Sequence, residues 1–321
     1  MKVIKRSLKF TLKNSNLNYI NSFKNIDLDE ANIHESAIRK YMPEILDLLL
    51  IDRTKSTIKK STNIIWANEN YIHLGKSAFS PTSQIKTELI TGNMENIIMP
   101  RALKTIELQK KRTKTKGEVF TPPWLIKKQN DEIDKNYKND NIEEYINRTW
   151  LEITCGEGPY MTTRYDMETG QIIPIKYRAG FIDRKLKKIN ANIKNRLEWQ
   201  NLVIKAYKSS YGFEWNGDSL LLARENSLYT FRDFYISKWH EEPSYELFLK
   251  IAEIISYNIF QMDGLKYIIP LSDQVKSFNQ LKMTLFDDEV PPVNKKLKQG
   301  IKVKIMNWET NKLEYFDKGV K

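Results

Sequence analysis

Strands alternating with helices in the second half of the chain predict an α/β fold built on a parallel sheet. Three observations carry this. From Trp150 onward, apolar runs at 150–154, 179–183, 211–214, 266–269 and 301–306 read as strands, with long helical stretches at 184–208, 218–231 and 244–260 between them. The run from Trp150 to Ile153 ends in Thr154-Cys155-Gly156-Glu157-Gly158-Pro159, a small-residue turn that lets a ligand approach the backbone at the carboxyl end of a sheet. A chain of 321 residues, 40% hydrophobic and 11% aromatic, can bury a sizeable core in one large or two moderate domains.

The earlier elements follow from local pattern. Residues 1–35 are polar and mixed. In 36–50, Ile38, Met42, Ile45, Leu46 and Leu49 recur at helical spacing, which predicts one amphipathic helix. Asn63-Ile64-Ile65-Trp66-Ala67 reads as a short buried strand. Residues 75–100 carry Gly75, Pro81, Gly92 and Pro100 and read as loop-rich, and the lysine- and asparagine-rich 127–148 as helix plus exposed loop. Residues 286–300, with Val290-Pro291-Pro292-Val293, also read as loop. A boundary near residue 115 separates a mixed N-terminal α/β region, 1–115, from the α/β domain, 116–321.

Lysine and arginine number 52 against 40 acids, a net charge of +12. That excess suits a polyanion, nucleic acid first and membrane surface second, or else a solvated lysine-rich surface. Lys104, Lys110, Lys111, Arg112, Lys114 and Lys116 form a basic run that reads either as a phosphate-contacting stretch or as a solvated helix face. The single cysteine, Cys155, excludes an intrachain disulfide, and the scattered His34, His73 and His240 have no zinc-site spacing. No stretch approaches the ~20 apolar residues that span a bilayer, and no apolar signal core follows the basic start. These features predict a cytoplasmic protein with no membrane partner and no metal. Asp52 and Glu69, with nearby lysines, lack nuclease spacing and read as surface acids.

A sheet of this kind binds ligands at the carboxyl ends of its strands. An adenosine ribose there needs an acid at the end of a neighbouring strand. Glu214, after Tyr211-Gly212-Phe213, fits that role, and Asp183, after Ala179-Gly180-Phe181-Ile182, competes for it; a helix cap is the plainer reading of either. Asp263, before Gly264, reads as an acceptor for an adenine amino group or as a turn acid.

The order Gly117-Glu118-Val119-Phe120-Thr121-Pro122, then Ile153-Thr154-Cys155-Gly156-Glu157-Gly158-Pro159-Tyr160, then Tyr211-Gly212-Phe213-Glu214 with Ala223-Arg224-Glu225-Asn226, resembles the amino-terminal half of an S-adenosylmethionine-dependent DNA adenine methyltransferase. The likeness is to the modification chains of type II restriction-modification systems and covers roughly residues 50–320 in motif order. It implies a Rossmann-like methyltransferase sheet with helices on both faces. It implies that Phe120, Thr121 and Pro122 close over the methionine end of the cofactor, and that Glu152, Thr154, Cys155, Gly156 and Gly158 form the cofactor loop, with Glu152 holding the methionine ammonium. It assigns Glu214 to the ribose and Asp263 to the cofactor adenine.

The family's target-base motif, Asn/Asp-Pro-Pro-Tyr/Phe, occurs nowhere in the chain. Thr121-Pro122-Pro123-Trp124 has two prolines and an aromatic ring but no amide, and it stands at the cofactor-closing position instead. The catalytic residues are therefore unassigned. The resemblance implies methyl transfer from S-adenosylmethionine to the exocyclic amine of a flipped adenine in double-stranded DNA, with the target-base groups supplied by a second methyltransferase or endonuclease chain or by an unrecognised substitute in this one. The alternatives are a non-catalytic specificity or regulatory subunit that binds the same cofactor and DNA, or an RNA or protein methyltransferase. Trp66, Tyr71 and Trp124 are aromatic candidates for DNA contact, with core packing the better reading of Trp66.

Overall fold

The structure is a computed structural model, which describes residues 31–33, 35–105, 107, 109, 113, 121–274 and 299–319. It is mixed α/β, with a small parallel sheet of order β1-β2-β3. The strands are β1 (Trp150–Glu152), β2 (Ser210–Glu214) and β3 (Ile259–Gln261). Trp150 pairs with Ser210, Glu152 with Gly212, Gly212 with Ile259 and Glu214 with Gln261.

The first predicted helix is two. α1 (Glu35–Tyr41) and α2 (Pro43–Leu50) are separated at Met42, whose φ is −143° and ψ 58°. The ring of Pro43 clashes with a helical backbone at the residue before it, so the apolar spacing continues but the helix cannot. Residues 63–67 are not a strand; among the described residues they form only isolated bridges, Asn63 with Ile51 and Ile65 with Gln84. Short turns occupy 72–103, including the single-turn α3 (Lys76–Phe79). α4 (Pro123–Asp134) and α5 (Ile142–Asn147) precede the sheet, the latter opened by a reciprocal Asn141–Glu144 capping box.

The segment 179–183, expected as a strand, instead opens α6 (Phe181–Asn192). Gly180 approaches the Met161 carbonyl so closely that a Cβ there would lie 2.3 Å from its oxygen. α7 (Arg196–Lys208) follows after Asn195, whose side chain accepts from the Glu198 amide at 3.0 Å. The single helix expected over 184–208 is thus broken at 193–195. α8 (Gly217–Trp239) runs past the expected end at 231, and α9 (Tyr245–Asn258) starts on a Ser244 cap. The tail of the helix expected to 260 is β3 itself.

The runs at 266–269 and 301–306 do not extend the parallel sheet. Tyr267 has φ 57°, and Ile268 makes isolated bridges to Asp263 and Lys302. β4 (Lys304–Asn307) and β5 (Lys312–Tyr315) form an antiparallel hairpin, and α10 (Phe316–Gly319) follows. No helix among the described residues is long and apolar enough to cross a membrane.

The two faces of the sheet pack differently. Alternation puts Trp150, Gly212 and Ile259 on one face and Tyr211, Phe213 and Phe260 on the other. The first joins a continuous core from Ile33 to Ile259 that includes α2, α6, α8 and α9. The second packs with Met262, Ile269, Val303 and Ile305. Arg224, buried on α8, ties the N-terminal segment to the sheet: it donates to the carbonyls of Leu49 (2.7 Å), Ile51 (3.0 Å), Ser256 (3.3 Å) and Ile259 (2.8 Å). Gln261 does the same at the carboxyl end of β3. Its Oε1 accepts from the Ile65 amide at 2.9 Å, and its Nε2 donates to the carbonyls of Ile65 and Trp215, both at 2.8 Å.

Candidate functional site

The loop after β1 is shaped by three consecutive demands on backbone conformation. Thr154, Gly156 and Gly158 all have positive φ, at 47°, 54° and 76°. Glycine meets that demand without steric cost, and threonine does not. Thr154 is held there by its own hydroxyl, which donates to the Ile153 carbonyl at 2.7 Å, and by the next amide, Cys155, which donates to the Phe213 carbonyl at 2.8 Å. The two glycines differ in surroundings. A Cβ on Gly158 would lie 2.9 Å from Met161 Cε, whereas one on Gly156 would meet nothing among the described residues within 4 Å. The loop is therefore packed from behind at Gly158 and open in front of Gly156.

Two buried carboxylates flank this loop, at the carboxyl ends of adjacent strands. Glu152 closes β1; its Oε1 accepts from the Tyr160 amide at 3.2 Å and its Oε2 from the Met161 amide at 2.8 Å. Glu214 closes β2; its Oε2 accepts from the Gly156 amide at 2.9 Å and its Oε1 from the Asn216 amide at 3.0 Å and side chain at 3.1 Å. Neither forms an ion pair among the described residues, although the chain is strongly basic. Burial, opposed by the two amide hydrogen bonds and helped by the Glu214 charge, pushes the Glu152 carboxyl up to about 8. Burial raises Glu214 as well. The Cys155 thiol, buried beside both, is pushed well above its usual range, so it is an inert packing group.

The Thr-Pro-Pro-Trp segment also reaches the loop. Thr121 and Pro122 lead into α4, where Pro123 occupies the first turn and loses no helical hydrogen bond. The Tyr160 hydroxyl meets the side chains of Thr121 and Gln129. Asn130 donates to the carbonyls of Tyr160 (3.1 Å) and Ala179 (3.0 Å) and so locks α4 against the same loop. Phe120 lies outside the described residues, as do Lys110, Lys111, Arg112, Lys114 and Lys116, the residues expected to contact DNA.

Asp183, the competing acid, lies away from the sheet end. Asp183 is fully buried in the first turn of α6; its Oδ2 accepts from the amides of Thr163 (2.8 Å) and Gly180 (3.0 Å) and the Thr163 hydroxyl (3.1 Å). It is a helix-start cap, and the strand that would have carried it to the sheet end does not form. Asp263 stands two residues beyond β3. Its Oδ1 accepts from the amides of Leu265 (2.9 Å) and Lys266 (3.2 Å), the geometry of a turn acid.

Sequence reading missed three contributors. Trp215 directly follows Glu214, half-buried, with its indole N–H fixed on the Ala67 carbonyl at 2.8 Å. Asn216 orients Glu214 through two bonds. Glu157, between the loop glycines, has its own partners: Oε1 accepts from the Arg101 amide at 2.8 Å and Oε2 from the Tyr165 hydroxyl at 2.6 Å. The adjacency of Trp-Asn to the strand-end acid was the available signal for the first two. Trp66 is fully buried, as expected of core, whereas Trp124 remains 66% exposed. A groove of about 700 Å³ lies beside the hairpin, lined among others by Leu151, Tyr211, Ile305 and Trp308. It is on the sheet face opposite Glu152 and is separate from this site.

The arrangement can hold a cation-bearing ligand: two buried acids without a cationic partner among the described residues, an open glycine turn between them, and an aromatic ring adjoining one acid. Comparison of the chain with protein-family models, curated proteins and solved structures finds no match.

Proposed function

We propose that the chain binds S-adenosylmethionine at this loop and serves as the modification component of a restriction-modification system, directing methylation of adenine N6 in double-stranded DNA. The observation that carries the reading is the pair of buried carboxylates around the open face of Gly156. Removing a carboxylate from water is costly unless a positive or hydrogen-bonding partner replaces the solvent. Among the described residues each of these acids is satisfied only by amides, so a ligand with an ammonium and a diol suits them. Glu152 would accept the ammonium, Glu214 the ribose hydroxyls, and Trp215 would border the adenine. When bound, the cofactor supplies an activated methyl group on sulfur.

The protein's contribution is positional. The loop is braced by Gly158 packing and by α4, and this fixes the approach of a ligand to the two acids before it arrives. No Asn-Pro-Pro-Tyr motif stands in the sequence, so on this reading the groups gripping the target base are supplied by a second chain or by an unrecognised substitute in this one. That same absence supports a second reading, a cofactor- and DNA-binding subunit without chemistry of its own.

Calorimetric titration of S-adenosylmethionine into the purified chain tests the reading, with Glu214→Ala and Gly156→Ala beside it. The expected result is saturable one-site binding that both substitutions abolish or weaken at least about tenfold, a loss of about 1.4 kcal/mol. A folded wild-type chain that takes up no cofactor would overturn the proposal.

A further inference from the structure

Cations from α4, α6 and the turn at 175–178 collect on one face. On α4, exposed Trp124, Lys127 and Lys128 stand at i, i+3 and i+4, opposite buried Ile126 and Asn130. On α6, Arg184 and Lys187 stand opposite buried Ile182, Leu186 and Ile189. The turn that precedes α6 presents Lys176 and Tyr177 to solvent, with the Lys176 ammonium 4.6 Å from the centre of the Tyr177 ring. Direct bonds draw the three elements together. Arg184 reaches across to α4, where it donates to Asp131 (2.6 Å), Asp134 (3.2 Å) and the Lys127 carbonyl (3.4 Å). Lys187 donates to the carbonyls of Lys176 (3.0 Å) and Arg178.

Acids are too few to balance this face. Asp131 serves both Arg184 and Lys127, Asp134 is taken by Arg184, and Glu132 pairs with Lys135. Lys128, Lys176 and Lys187 have no carboxylate partner among the described residues. Burial first, then the charges of Arg184, Arg178 and Lys127, hold the Lys187 ammonium below its usual range, and Asp183 opposes them. A solvated charge run keeps its lysines apart and free to turn. Lys187 is instead half-buried and fixed by two carbonyls, which leaves one of its three donors unclaimed among the described residues. Its side chain is thus ordered before an anion arrives, which lowers the cost of binding one.

Two further observations choose the anion. Trp124 and Tyr177 are 66% and 65% exposed, and rings set among cations suit a nucleic acid, whose phosphates and bases need both. The face also adjoins the glycine loop, because Asn130 of α4 holds the carbonyls of Tyr160 and Ala179. A duplex lying on it would pass beside the carboxyl ends of β1 and β2.

We propose that the face formed by α4, α6 and the 175–178 turn is the surface on which the chain holds the DNA backbone, with Lys128, Lys176 and Lys187 taking phosphates. The inference rests on the DNA reading above and gives it a location. Each phosphate neutralised contributes about −0.9 to the slope of log affinity against log salt.

The test is fluorescence anisotropy of a labelled mixed-sequence duplex titrated with the full chain over a salt series. It compares the wild type with two triple variants that lose the same charge. One carries Lys128→Gln, Lys176→Gln and Lys187→Gln. The other carries Lys250→Gln, Lys304→Gln and Lys312→Gln, on α9 and the hairpin. The first should flatten the salt slope by about 2–3 and weaken binding at least about tenfold at about 50 mM salt. The second should leave the slope within about 1 of the wild type. Calorimetry should show S-adenosylmethionine binding unchanged in the first variant, since none of its three lysines touches the loop or its acids. Equal losses in both variants, or none in the first, overturn the inference and leave the DNA reading intact. A wild type that binds no duplex overturns both. Lysine-dependent binding to vesicles of equal parts phosphatidylcholine and phosphatidylglycerol, tighter than to duplex, overturns the inference in favour of a lipid surface. Duplex held by this face in a chain that takes up no S-adenosylmethionine supports the inference and overturns the cofactor reading alone.

Discussion

Glu152→Gln gives the sharpest readout of the buried acids. Burial pushes the Glu152 carboxyl up to about 8, from an ordinary glutamate value of 4.5. Between those two values the folded chain keeps a proton that the unfolded chain has released. The unfolded state therefore binds fewer protons, and stability falls as pH rises. Below the lower value both states are protonated and the residue costs nothing; above the upper value the full cost is present. At about 1.4 kcal/mol per pH unit, roughly 3 kcal/mol is lost between about pH 5 and about pH 7. Glutamine cannot ionise and escapes this loss. It does set an amide donor against the backbone N–H of Tyr160 or Met161, a defect that the protonated acid shares. The variant and the wild type should therefore be nearly equal in stability at about pH 5, with the variant more stable by about 3 kcal/mol at about pH 7. Urea unfolding followed by circular dichroism across this range measures the difference, and the parallel shift of Glu214 is common to both proteins. Binding runs the other way. An ammonium needs the carboxylate form, so wild-type affinity for S-adenosylmethionine should rise with pH over the same window, and that of the variant should be weaker and flat. A stability difference independent of pH refutes the assignment of Glu152 as a buried acid kept without a counter-charge.

Gly158→Ala should destabilise the chain by about 1–3 kcal/mol in thermal or urea unfolding, since it combines an unfavourable positive φ with a contact at Met161. Arg224→Met should cost about 3–5 kcal/mol, because it strips four buried carbonyls of their donor and packs an apolar chain against them; a loss under about 1 kcal/mol would mean that the N-terminal segment is held by other means. Trp124→Ala should change stability by no more than about 0.5 kcal/mol, as expected at an exposed site, and its melting curve should superimpose on that of the wild type.

The coarse class was legible in the sequence because two of the predicted strands, at 150 and 210, are apolar runs between amphipathic helices, and both appear within a residue or two of their expected bounds. The turn after the first was also legible, since glycines, a small residue and an upstream hydrophobic run leave few alternatives. The failures have local causes. The run at 179–183 is as apolar as a strand, but Asp183 and Gly180 together open a helix, and only the tertiary partner Thr163 makes that visible. The segment 259–261 continues the apolar period of α9 without interruption, so its change to strand is set by the neighbouring Phe213 and Glu214 and not by its own pattern. Pro43 should have divided the first helix on sequence grounds. At the site, Glu152 and Glu214 were found from their places at strand ends. Their convergence across Gly156, and the outward ties of Glu157, depend on contacts between residues about sixty positions apart, which no local pattern reports.

Gln261 stands in for a peptide group. It offers the Ile65 backbone the same donor and acceptor that a paired strand would, from a side chain of fixed length. Such a stand-in has a chemical lifetime that main chain lacks, for a side-chain amide can hydrolyse. Deamidation would exchange one nitrogen for oxygen and leave a carboxylate facing the carbonyls of Ile65 and Trp215, which now receive hydrogen bonds from that nitrogen. The attachment beside Trp215 and Glu214 would then repel where it had bound. Ageing of this one residue would loosen the hold on Ile65 at the carboxyl end of the sheet while leaving every strand pairing intact.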